Sequence, residues 1–289
     1  MRRTPVFVLL FLLLVADVVL VTGALRSTHV NTSKMAVANQ TLTAPTPAPT
    51  TASGSPTTAA APAGKVIVAG LNSSHAWRAV SAVTCVPGAT RANVARTSNG
   101  GQDWKSVSVP LVTVSGLSYA GSAIVANGLD ASCQPAAYTL GDSPSATTKS
   151  AAWSVDPKDQ AKLLADGQPV SDEPCTGRVL DVAVNSANDA VVLCGNGSVQ
   201  HTTDGGDSWR QLTGKGDTVA IATGSTSTAV YVATPSSCGL SVHLVTAAAS
   251  GCLDHTKDWT GPLDMAIIGS TMWLVSPTQA LTEPVANLS

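Results

Sequence analysis

The residues of this chain that could do chemistry are few, and most are spaced for structure. Cys238, Cys252 and His255 offer two sulfurs and an imidazole within 18 positions, but no CxxC accompanies them and the remaining histidines are scattered, so a zinc site is not expected. Gly116-Leu-Ser118-Tyr-Ala-Gly121 is one residue too long for a GxSxG nucleophile elbow. Gly214-Lys215 lacks the preceding loop that would cradle a phosphate. Beyond residue 64 there are only two glutamates, Glu173 and Glu283, the first in Ser-Asp-Glu-Pro-Cys and the second near the C-terminus. A carboxylate pair for glycoside hydrolysis would therefore draw on aspartates, and those at 103, 204 and 207 stand in turn sequences.

The turn sequences are the most specific signal. Thr97-Ser98-Asn99-Gly100-Gly101-Gln102-Asp103-Trp104 and Thr202-Thr203-Asp204-Gly205-Gly206-Asp207-Ser208-Trp209 repeat a hydroxyl residue, Asx, Gly-Gly and Trp at fixed offsets. An Asx side chain accepts from the backbone N–H groups of the tight turn after it, and Gly-Gly supplies the positive φ that such a turn needs. The Trp three residues on re-enters apolar surroundings and anchors the hairpin by a large burial.

Both stretches resemble the Asp-box, or BNR repeat, of sialidase-type and Ycf48-like β-propellers. The resemblance rests on Thr97, Asn99, Gly101 and Trp104 and on Thr202, Asp204, Gly206 and Trp209. It implies an all-β propeller in which each motif is the turn between the third and fourth strands of a blade. It also invites a sialidase activity, which the residues do not support. Such enzymes use an arginine triad, a Tyr activated by a Glu, and an acid/base Asp. This chain has five arginines beyond residue 64 (Arg78, Arg91, Arg96, Arg178 and Arg210), no Arg-Ile-Pro signature, and neither glutamate in a placed position. The expectation is a non-catalytic propeller that binds a protein or glycan through the loops of one face, with a glycosidase or an assembly factor for membrane proteins as the alternatives. No cofactor is expected.

Other elements fall into step with the turns. Trp104, Trp153, Trp209 and Trp259 are 49, 56 and 50 residues apart, close to the length of a four-stranded blade. Leu180-Asp-Val-Ala-Val recurs as Leu263-Asp-Met-Ala-Ile, and Thr218-Val-Ala-Ile-Ala is a looser copy. Each is followed, after a Gly/Ser/Asn-rich turn, by a compact apolar run: Ala190-Val-Val-Leu-Cys, Ala229-Val-Tyr-Val-Ala and Met272-Trp-Leu-Val. These are the lengths and flanks of buried strands. A short helix is expected at Pro157–Asp166. At about 45 residues per blade, residues 65–289 leave room for about five blades. The last is expected to combine 262–289 with the strand Lys65-Val-Ile-Val-Ala to close the ring.

The chain ahead of this region reads differently. After Met1-Arg2-Arg3 it is apolar from Pro5 to Leu25, broken by Asp17, Thr22 and Gly23. About 20 such residues cross a bilayer as a helix, and the basic pair places residues 1–4 in the cytoplasm. Residues 5–25 are expected to be a transmembrane signal-anchor, with secretion after cleavage near Thr22-Gly23-Ala24 as the alternative. Residues 26–64, rich in Thr, Ala, Pro and Ser, cannot bury enough apolar surface to order themselves and read as an extended linker on the order of 100 Å long. Residues 65–289 then form an extracytoplasmic domain.

All six cysteines lie in that domain, and an even number outside the cytoplasm implies disulfides. Sequence neighbours suggest Cys175–Cys194 first, then Cys85–Cys133 and Cys238–Cys252. With a net charge of −2 and 12% charged residues, the chain carries no basic footprint for nucleic acid.

Overall fold

The computed structural model describes residues 64–120, 123–213, 216–224, 229–246, 250–259 and 261–288. The membrane span expected at 5–25 and the linker up to residue 63 lie outside them. Among the described residues no helix is long and apolar enough to cross a membrane.

Among the described residues, twenty-two strands form six antiparallel sheets in chain order. Blade 1 is β1 (Lys65–Gly70), β2 (Ala76–Ser81), β3 (Asn93–Thr97) and β4 (Lys105–Val107). Blade 2 is β5 (Thr113–Ala120), β6 (Ala123–Leu129), β7 (Pro135–Leu140) and β8 (Ser145–Ala146). Blade 3 has three strands, β9 (Trp153–Val155), β10 (Leu163–Ala165) and β11 (Gln168–Pro169). Blade 4 is β12 (Val179–Val184), β13 (Ala190–Cys194), β14 (Val199–Thr202) and β15 (Arg210–Thr213). Blade 5 is β16 (Ala220–Thr223), β17 (Val230–Ser236), β18 (Gly239–Leu244) and β19 (Ser250–Leu253). Blade 6 has three, β20 (Asp264–Ile268), β21 (Thr271–Val275) and β22 (Ala280–Pro284).

The first strand of each blade packs beside the first strand of the next, and β20 packs against β1, so the ring closes on a central channel. This is an all-β propeller with six blades, not about five. The ring does not close by a shared strand: β1 pairs with β2 in its own sheet, and β20–β22 stand without it. Side chains close it instead. Val66, Val68 and Ala76 of blade 1 pack on Trp273 and Val275 of blade 6, Trp273 Nε1 donates to the Asn72 carbonyl at 3.2 Å, and Val68 N donates to Asp264 Oδ2 at 2.5 Å.

Strand periodicity explains the wedge packing. In β13 every residue is buried. Ala190, Val192 and Cys194 face Trp153, Val155 and Leu163 of blade 3, while Val191 and Leu193 face Ile221, Val230 and Val232 of blade 5. Alternate side chains thus serve opposite neighbours, which is why this strand reads as a continuous apolar run. Comparable clusters join blades 1 and 2, 5 and 6, and 6 and 1. The boundary between blades 2 and 3 differs: a cavity of about 510 Å³ lies there, bordered by Asn127, Ser150, Ser154 and Asp156.

That seam follows from how blade 3 is built. One end of the channel is lined by the starts of β1, β5, β12 and β16 together with Val155 and Asp156 at the end of β9. The other is lined by the ends of those strands together with Ala152 and Trp153 at the start of β9. Strand β9 therefore runs opposite to its innermost neighbours, as a second strand would. Blade 3 lacks its innermost strand, and β9 lies next to the channel in its place. The helix expected at 157–166 is instead a turn leading into β10.

The tryptophan spacing misled for the same reason. Trp104 and Trp209 each stand just ahead of a fourth strand, but Trp153 opens β9 and Trp259 follows a 3-10 turn at Asp254–Thr256, between β19 and β20. Four evenly spaced tryptophans occupy three different places in the blade.

Candidate functional site

Both repeated turns join the third strand of a blade to its fourth, and they share one hydrogen-bond scheme. Thr97 Oγ1 donates to Asn99 Oδ1 (2.9 Å), Gly101 N donates to Thr97 Oγ1 (3.0 Å), and Asp103 N donates to Asn99 Oδ1 (3.0 Å). In blade 4, Thr202 Oγ1 donates to Asp204 Oδ1 (2.7 Å), Gly206 N to Thr202 Oγ1 (3.0 Å), and Ser208 N to Asp204 Oδ1 (3.0 Å). Gly100, Gly101, Gly205 and Gly206 all have φ between 72° and 92°. A Cβ on Gly206 would lie 2.9 Å from Val170 Cγ1, so the position requires glycine on two counts. Ser208 and Thr202 hydrogen bonds hold the Asp204 carboxyl down at about 2.

These turns carry no constellation for catalysis, and their tryptophans pack on the neighbouring blade. Trp209 meets Trp153 edge to face at 6.1 Å and donates Nε1 to the Asp172 carbonyl at 2.9 Å. Trp104 meets Trp273 at 6.4 Å, with the Arg78 guanidinium 4.5 Å above its ring.

All three disulfides pair sequence neighbours. Cys85–Cys133 ties blade 1 to blade 2. Cys175–Cys194 anchors the segment ahead of β12 to the end of β13. Cys238–Cys252 joins the β17–β18 turn to β19. Asp254 stands beside this last pair, but sulfurs in a disulfide are not thiolate ligands, so the group is no metal site.

The channel holds what the sequence reading passed over. Lys65, Ser115 and Asp181 line both of its halves and so mark its waist, and Asp264 joins them from blade 6. Asp181 and Asp264 are the second residues of the two matching strand sequences Leu180-Asp-Val-Ala-Val and Leu263-Asp-Met-Ala-Ile. A charged residue repeated inside an apolar strand sequence was the available signal.

Asp264 is 5% exposed and accepts Val68 N at 2.5 Å and Met265 N at 2.7 Å. Asp181 is 9% exposed and accepts Val182 N at 2.7 Å through Oδ1. Its Oδ2 has no hydrogen-bond partner among the described residues. The two carboxyls lie side by side, an arrangement that favours a proton on one of them. Burial, and next the Asp181 charge, push Asp264 well above the carboxylate range. Burial also raises Asp181, against the pull of Lys65. Lys65 is lowered by burial and partly restored by the two aspartates.

Above the waist, where the inner strands begin, the channel opens into a cup of about 410 Å³. Val66, Val83, Val155, Leu180, Val219 and Leu263 give it an apolar wall, and Arg178 and Asp156 stand at its rim. Val83 is 36% exposed and Val86 beyond it 60%. The opposite half, about 400 Å³, is lined mainly by the far ends of the same strands.

No protein-family profile matches the chain, and no curated protein matches it. Solved structures do. An alpha-L-arabinofuranosidase from Fusarium graminearum, in complex with an iminosugar inhibitor, is 9% identical over 78% of this chain and 94% of its own, with a TM-score of 0.50. The GH74 xyloglucanase from Xanthomonas campestris is 14% identical over 73% of this chain and 43% of its own, with a TM-score of 0.42. Ycf48 in complex with a peptide is 14% identical over 76% of this chain and 69% of its own, with a TM-score of 0.28. At 9% identity the likeness to the arabinofuranosidase is one of fold alone, and the six sheets closed about a channel make the chain a β-propeller.

Proposed function

We propose that this chain is a non-catalytic propeller, held outside the cell by the apolar segment 5–25, that binds a segment of a partner protein at the mouth where its inner strands begin. The observation that carries the reading is the apolar cup at that mouth, whose wall includes the exposed Val83. A soluble domain gains nothing by leaving such a wall open to water, and concave apolar surfaces with a few polar groups are the usual form of binding sites. Among the described residues the cup presents no aromatic ring on which a sugar face could pack, which favours a peptide over a glycan. Three disulfides fit an oxidising compartment.

The glycosidase reading has one candidate pair, Asp181 and Asp264, and their geometry opposes it. Glycosidase carboxyls stand at least about 5 Å apart so that a sugar carbon or a water fits between them, whereas these two lie close enough for each to perturb the titration of the other.

The test is affinity capture from membranes with the intact chain and with Val83→Glu at the rim. Proteins captured by the parent and lost from the variant, at an unchanged melting temperature, support the reading. Capture indifferent to Val83→Glu moves the partner site elsewhere, and turnover of an aryl glycoside abolished by Asp181→Asn replaces binding with catalysis.

A further inference from the structure

The waist of the channel is short of one positive charge. Lys65 from blade 1 faces two carboxyls, Asp181 from blade 4 and Asp264 from blade 6. Burial and the mutual repulsion of the two carboxyls favour a proton held between them. Both Asp264 oxygens and Asp181 Oδ1 also accept from backbone N–H groups. Ile221 N–H also faces the Asp181 carboxyl, but Asp181 Oδ2 has no hydrogen-bond partner among the described residues; it is buried and carried by a side chain that lines both halves of the channel.

We propose that this waist is a binding site for an aliphatic primary ammonium group, which donates to Asp181 Oδ2 and displaces the shared proton to solvent. Resting on the partner reading above, the ammonium is that of a lysine in the docked segment. Its methylene stem lies along the apolar wall of Val83, Leu180, Val219 and Leu263, as long basic side chains do when the head is charged and the stem is not. The charge balances before and after: one bound ammonium enters for one proton released. A divalent cation fits less well, since the chain offers it two carboxyls beside a resident ammonium, whereas hard cations take six or more oxygen ligands. The other titratable side chains facing the channel are Tyr119 of β5 on one side and Arg178 and Asp156 at the mouth on the other, and the last two offset each other.

The experiment is calorimetric titration of the full chain with hexylammonium chloride, with hexanol as its neutral counterpart, and with acetyl-Val-Lys-Val-amide, in buffers of different ionisation enthalpy. The expected result is binding of hexylammonium and the peptide but not hexanol, with about one proton released per ligand. Affinity should fall by up to about tenfold for each unit that pH drops below the titration of the pair. Asp181→Asn should abolish binding. Lys65→Met, which deletes the resident cation, should tighten it about tenfold or more, so the site stays testable if the first variant folds poorly.

Equal binding of hexanol, absence of proton release, or weaker binding by Lys65→Met would overturn the ammonium site. Hexylammonium binding without peptide binding supports the site with a free amine as its source, and overturns partner docking at this mouth. A peptide that binds equally well with its lysine acetylated preserves docking and removes the ammonium site.

Discussion

At the scale of single residues, the clearest separation is between polar groups that hold turns and polar groups left over in the channel. Asp204 is exposed, yet three donors converge on it, from Thr202 Oγ1, Ser208 N and Ser208 Oγ. Its pKa of about 2 lies below the unfolded value of about 3.9. Its contribution is therefore complete above about pH 4 and lost as pH falls toward 2. Asp204→Ala should lower the melting temperature at pH 7, and the gap to the parent should shrink as both are scanned down to pH 2. The tryptophans rank differently from what their motifs imply. Trp209 closes a repeated turn but remains partly exposed, whereas Trp153 is 2% exposed and donates to the Ser186 and Ala187 carbonyls at 3.1 Å. Trp153→Ala should cost about 3–5 kcal/mol through the cavity it leaves, and Trp209→Ala less, as chemical denaturation of both variants would measure.

At the scale of elements, the sequence was legible wherever a local rule decides the conformation. Gly-Gly after an Asx can do little but turn, and the Thr-Asx-Gly-Gly signal located two of the third-to-fourth strand junctions. Apolar runs of five, such as Ala190–Cys194, located strands buried on both faces. Cysteines close in sequence found one another across adjacent strands. What could not be read was absence: nothing in the residues from 147 to 152 announces that blade 3 has no innermost strand, and a period of about 45 residues cannot count a blade that spans only Trp153–Pro169. The channel aspartates were visible as letters and missed because each sits inside an apolar strand whose register became informative only once six strands were arranged about an axis. Gly128 shows how tight that arrangement is. It faces Val114 beside a bulge in the β5–β6 ladder, and a Cβ there would fall 1.8 Å from the Thr113 carbonyl oxygen. Backbone, not a flexible side chain, would have to yield, so Gly128→Ala should destabilise by several kcal/mol and shift the urea midpoint accordingly. The buried Cys175–Cys194 bridge closes a loop of 19 residues, and replacing both cysteines by alanine should cost about 3 kcal/mol.

At the scale of the whole molecule, the ring is held unevenly, and its acid response should reveal where. Five of the six blade boundaries are filled by apolar clusters. The boundary of blades 2 and 3 holds a cavity of about 510 Å³ in place of such a cluster, and Ala151 N donates across it to Asn127 Oδ1 at 2.7 Å. Opening should begin there, so amides of β9–β11 should exchange with solvent faster than those of β12–β14, measured by hydrogen exchange and mass spectrometry.

The boundary of blades 6 and 1 is closed by apolar packing and by Asp264, which bonds Val68 N across the junction while touching Asp181 of blade 4. Because burial raises both aspartates, the folded protein binds more protons than the unfolded chain at pH values between the unfolded pKa, about 3.9, and the raised folded values. Stability from this pair therefore grows as pH falls through the folded values, and no further gain follows below about pH 4. Lys65 acts on the alkaline side: its lowered pKa means that the unfolded chain keeps the proton longer, so its share of stability rises with pH between the lowered value and about 10.4. Moving from pH 7 to pH 5 should raise the melting temperature of the parent, while Asp264→Asn, which cannot take up the proton, should show a flatter profile. A parent that loses stability steadily over the same interval would mean that both carboxylates are ionised in the channel at neutral pH and that Lys65 alone balances them.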